Sequence, residues 1–82
     1  MVAQTPTTVL YIPQAAGSAV GLYTAVVNTN DTVTLTDFTD ILNRYVISLA
    51  NNSEATVTIA TNIVTVTQAL TTAKVLIYVQ GN

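Results

Sequence analysis

The sequence predicts an all-β fold, a small antiparallel β-sandwich or barrel of about seven strands with at most one short helical turn. Three observations predict it. Short runs rich in Val, Ile, Thr and Tyr recur along the 82 residues, each bounded by Asn, Asp, Ser, Gly or Pro. No segment sustains an apolar period of 3.6 residues. The run from Ala55 to Gln68, ATVTIATNIVTVTQ, folds back about Thr61 and Asn62 with every opposed pair matched in polarity. Ala60 meets Ile63, Ile59 meets Val64, Thr58 meets Thr65, Val57 meets Val66 and Thr56 meets Thr67. A slip of one residue would set valine against threonine throughout, so the pattern specifies its own register.

From the N-terminus, Met1 to Pro6 reads as a free start, and Thr7 to Ile12 (TTVLYI) as a short strand closed by Pro13. Gln14 to Ser18 (QAAGS) reads as a flexible joint. The chain thus divides into an N-terminal strand or arm, 1–18, and a β-sandwich domain, 19–82. Strands are expected at Val20 to Val27, Thr32 to Leu35, Arg44 to Ala50, Ala55 to Ala60, Ile63 to Thr67 and Lys74 to Gln80. Asn28 to Asp31 (NTND) and Asn51 to Glu54 (NNSE) are turn clusters whose side chains suit Asx-turns. Thr36 to Asn43 (TDFTDILN) is the candidate helical turn, capped by Thr36 with Phe38, Ile41 and Leu42 facing inward. Val75 to Val79 (VLIYV) is apolar on both faces and is expected to be a central strand covered on each side. RYVISLA, from Arg44, is similar. Two such strands in so short a chain imply that something else covers part of their apolar surface.

Composition narrows the function. Only 7% of residues are charged, against about 25% in an ordinary globular domain. The cations are Arg44 and Lys74, too few for a basic patch on nucleic acid. The longest apolar run is five residues, Val75 to Val79, where a membrane helix needs about 20. The first 20 residues show no cationic segment of a secretory signal. There is no Cys for a disulfide and no His for general-base or metal chemistry. A domain this small needs further support, and association with copies of itself is the candidate that remains.

No catalytic constellation emerges, and an enzyme is not expected. Asp37 and Asp40 sit in a polar loop as capping or solvating groups. Asn28, Asn30, Asp31 and Asp37 offer oxygen ligands for calcium, but their spacing matches no EF-hand loop, and turn chemistry is the expectation. No cofactor is expected. Tyr11, Tyr23, Tyr45 and Tyr78 are dispersed among strands and read as packing residues, with a sugar platform as the alternative use. Asn51-Asn52-Ser53 fits an N-glycosylation acceptor, relevant only to a secreted chain. Two features point to assembly. Thr56, Thr58, Thr65 and Thr67 make an uncharged ladder where a monomer would place Lys or Glu. Val9, Tyr11 and Ile12 lie on a strand that either augments a neighbour's sheet or folds back on its own domain.

The run from Leu22 to Gly81, with NDTVTLTDFTDI, RYVISL and ATVTIATNIVTVTQALTTAKVLIYVQG, resembles small virion proteins of tailed bacteriophages, especially capsid decoration or cement proteins. The resemblance covers about three quarters of the chain and is one of texture and order of elements. It implies copies, often homotrimers, that sit on the capsid surface and clamp neighbouring major capsid proteins, with no catalytic residues. It also implies an N-terminal arm that orders on the shell, which would be Met1 to Ile12. Tail or head-completion proteins share this texture, and a carbohydrate-binding or adhesive fibre module is the alternative outside the virion. On the virion reading the expected partners are other copies of the chain and the major capsid protein, with neither nucleic acid nor membrane, whereas the carbohydrate-binding alternative expects a sugar.

Overall fold

A computed structural model describes residues 2–14 and 17–82. Its strands are β1 (Ala3–Gln4), β2 (Thr7–Pro13), β3 (Ala19–Val27), β4 (Thr32–Thr34), β5 (Ile41–Ser48), β6 (Ser53–Glu54), β7 (Val57–Ala60), β8 (Ile63–Val66) and β9 (Ala73–Gly81). They form a small β-sandwich. One sheet has the order β1-β4-β8-β7, the other β2-β3-β9-β5-β6. Every pairing is antiparallel except β1 with β4. Among the described residues no helix is long and apolar enough to cross a membrane.

The hairpin that specified its own register adopts it. Val57 pairs with Val66, Thr58 with Thr65, Ile59 with Val64 and Ala60 with Ile63, and the Thr67 amide donates to the Thr56 carbonyl at 3.0 Å. Its valines turn inward with Val33 of β4 and meet Val75, Ile77 and Val79 of β9, Val46 of β5 and Val27 and Tyr23 of β3. Strict alternation along β3 and β9 produces this core. Odd-numbered residues from Ala19 to Val27 and from Ala73 to Gly81 are buried, while the even ones face outward.

Several elements differ from expectation, each for a physical reason. Residues before Pro6 are not wholly free: Ala3 and Gln4 pair with Thr32 and Val33, and the Asp31 carboxylate accepts from the Val2 amide and the Gln4 side chain. The stretch 36–43 forms no helical turn. One turn bond, Phe38 N–H to Leu35 carbonyl, is made before the Ile41 amide turns to the Thr61 carbonyl and β5 begins. Phe38 is buried as expected, whereas Leu42 points to solvent. The NTND side chains also reach further than a local turn, since Asn28 Oδ1 accepts from the Thr72 amide at 2.7 Å. β9 is central, but its outward face is left open by this chain, with Tyr78 exposed. The expected joint at Gln14 to Ser18 lies partly outside the described residues; its ends are joined by the Gln14 amide donating to the Ser18 carbonyl.

Candidate assembly surface

The seven residues expected at an interface fall on three different surfaces. β2 runs antiparallel along β3 of its own chain, from Thr7 opposite Thr24 to Pro13 opposite Ala19. The register shifts between Thr8 and Leu10, so Val9 is the extra residue of a bulge and its side chain is exposed. Tyr11 lies opposite Gly21 and sets its ring edge-on to Phe38, with centroids 5.8 Å apart. Ile12 lies opposite Val20, on the outward side. One strand therefore sends Tyr11 towards the sandwich and Ile12 away from it.

Gly21 is what admits the aromatic group behind β2. A Cβ there would come within 2.6 Å of the Tyr23 ring and 2.9 Å of Phe38. Tyr23 is buried, and its hydroxyl donates to Asp37 Oδ2 at 2.9 Å. Burial first, and then that bond to a carboxylate, push the phenol well above its ordinary range. Tyr23 thus stays protonated and serves as a donor, and it cannot act as a base near neutral pH. The pair borders a cleft of about 370 Å³ shared with Gln4, Pro6, Thr8 and Thr36.

The threonines occupy the opposite side of the molecule, the outward face of the four-stranded sheet. Thr58, Thr65 and Thr32 are register neighbours across three strands, and Ala3 continues the row onto β1. Ala60, Ile63 and Thr34 form the next row. Neither row carries a charge. Thr56 and Thr67 spend part of their hydrogen-bonding capacity locally: Thr67 Oγ1 donates to the Thr56 carbonyl, and the Thr56 amide donates to Gln68 Oε1. Thr58 and Thr65 are therefore the ladder residues whose side chains form no such local closure.

The outward face of the five-stranded sheet is the second apolar side of VLIYV and RYVISLA, which the sequence leaves for something else to cover, although of its residues only Ile12 is among those expected at the interface. Leu10, Leu22, Tyr78 and Tyr45 are successive register partners across β2, β3, β9 and β5. Beside them run Ile12, Val20, Gln80 and Asn43, and on the other side Thr24, Leu76 and Ile47. Five of the outward-pointing apolar residues, Leu10, Ile12, Val26, Tyr45 and Tyr78, are 42–49% exposed. The signal lay in the even positions of β3 and β9, where Val20, Leu22, Leu76 and Tyr78 stand in place of charged residues.

Two of the four acidic side chains, Asp31 and Asp37, are committed to structure. Asp31 is buried and accepts from the Asn28 and Val2 amides and from Gln4, bonds that hold its carboxyl below the ordinary range, the Asn28 amide foremost. Asp37 accepts from Tyr23. The Asp40 backbone brackets Asn82, its carbonyl accepting from the Asn82 amide at 2.9 Å. Among the described residues no three Asp or Glu gather as metal ligands. No protein-family model matches the sequence, and no curated protein matches it.

Proposed function

We propose that the chain is a non-enzymatic structural subunit of a tailed-bacteriophage particle, a decoration or cement protein that associates with its own copies and binds the capsid lattice. One observation carries this reading: neither outward face of the sandwich carries a charge near its centre, where a small monomer would intersperse them to keep apart from its neighbours. The threonine rows leave one side neutral, and large apolar residues cover most of the other. Monomers rarely expose contiguous apolar patches beyond a few hundred Å². A cement protein uses such surfaces in parallel, since weak contacts repeated around a symmetric lattice combine into firm attachment.

Particle composition tests the proposal. The chain should copurify with intact particles of the phage that encodes it, in a copy number commensurate with the capsid lattice. Its presence only at the tail would favour a tail or head-completion role, and its absence from particles would sink the reading. An adhesive or carbohydrate-binding module is the second reading, favoured by the adjacency of exposed Tyr45 and Tyr78. It requires saturable binding to a glycan that Tyr45→Ala abolishes.

A further inference from the structure

We infer that the outward face of the five-stranded sheet is the contact between copies of this chain, with the row Leu10, Leu22, Tyr78 and Tyr45 at its centre. The inference rests on the self-association in the proposed function and names the surface that performs it. The threonine face, expected from the sequence to meet a partner, is then left for the lattice.

Area is the first argument. A tyrosine side chain presents about 150–250 Å² in full and a leucine somewhat less, so the exposed parts of this face amount to about 600 Å² of apolar surface. A stable interface buries about 800 Å² per partner, about 65% of it apolar at the core. This face alone supplies that apolar share. The threonine face cannot, because its exposed side chains are mainly small hydroxylated ones.

Chemistry is the second argument. The centre of the face holds two tyrosines and two leucines, and charge appears only towards its margin, with Lys74 on β9 and Glu54 on β6 opposite Ile47. Interface cores favour that distribution, aromatic and uncharged inside a polar rim. A highly charged partner would leave its own charges unpaired against this centre. A second copy brings the same neutral face, and a self-complementary contact is what a two-fold interface requires. Pro6 and Pro13 stand at the ends of β2 and its bulge interrupts the strand, features that blunt edge-to-edge pairing through the long edge strand of this sheet.

The test is the mass of the protein in solution by sedimentation equilibrium, over concentrations up to about 100 µM, for the parent chain and three variants. Tyr78→Lys sits at the centre of the face. Leu10→Lys is a second probe on an edge strand with little core to disturb. Thr58→Lys charges the opposite side. Circular dichroism checks that each variant folds. The expected result is an oligomeric parent, an unchanged Thr58→Lys, and a dissociation constant raised at least about 30-fold in Tyr78→Lys and Leu10→Lys, the loss of a central hot spot. An oligomer that survives both face variants and yields to Thr58→Lys would overturn the inference while leaving self-association standing. A parent that stays monomeric throughout would overturn contact between copies by any face. Particle composition would then still decide the virion reading by itself.

Discussion

Asp31 shows how much one side chain can organise in a chain with few charges. Its carboxylate ties the first strand and the 28–31 turn together, and its own backbone carbonyl accepts from the Val66 amide on β8. The folded-state pKa lies below the unfolded value of about 3.9, so this group's stabilisation is complete above that value. It is lost as pH falls through the depressed folded value. Thermal melts should accordingly show a midpoint nearly constant from pH 5 to 7 that drops below about pH 4. In Asp31→Asn the midpoint at pH 7 should be lower and the acid drop shallower; parallel acid drops in the two proteins would assign the effect to another carboxylate. Thr61 works in the other direction. It holds φ at 53° in the hairpin turn, a conformation that a β-branched residue adopts at a cost, because its carbonyl is needed by the Ile41 amide. Thr61→Gly relieves that cost and gives back part of it as chain entropy, for a net gain of about 0.5–1 kcal/mol. The melting midpoint should rise by about 3–6 °C. A fall would mean that the Thr61 hydroxyl, bonded to the Ala60 carbonyl at 2.7 Å, carries the turn.

At the scale of elements, legibility followed the range of the interactions. The β7–β8 hairpin could be read residue by residue because its partners are close in sequence and its two faces differ in polarity. The stretch 36–43 could not. Phe38, Ile41 and Leu42 have the spacing of a helical face, but the bonds that decide the matter come from Thr61 and Asn82, far along the chain. Strands apolar on both sides are legible in VLIYV and RYVISLA, yet which side meets the core depends on neighbours that sequence spacing does not name. For the same reason alternation alone does not reveal that Tyr11 and Ile12, neighbours in sequence and both exposed, face different surfaces, Tyr11 with one ring edge against Phe38. β2 is the long strand held least firmly. Each of its side chains is exposed, and it pairs on one edge only. Hydrogen exchange at a concentration that keeps the chain monomeric should find β2 amides exchanging at least about 100-fold faster than those of β9, through local opening. Equal protection would place β2 in the cooperative unit of the core.

The whole molecule has a radius of gyration of 11.8 Å, the compactness of about 12 Å expected for this length. It attains this while leaving its two broad sides chemically unlike, one hydroxylated and one apolar, which is the arrangement a layer between two different partners would have. The position of β9 adds a mechanical consequence. Its nine register pairs to β3 and seven to β5 flank it on both sides, whereas β2 is held along one edge. A load drawn along the axis of β9 must shear both ladders at once, while a load on β2 can peel it bond by bond. The same sandwich is therefore stiff when pulled through its central strand and compliant when pulled through its first long one. A partner that grips the central strand would pull on the whole core, and one that grips β2 would draw that strand away before the core yields.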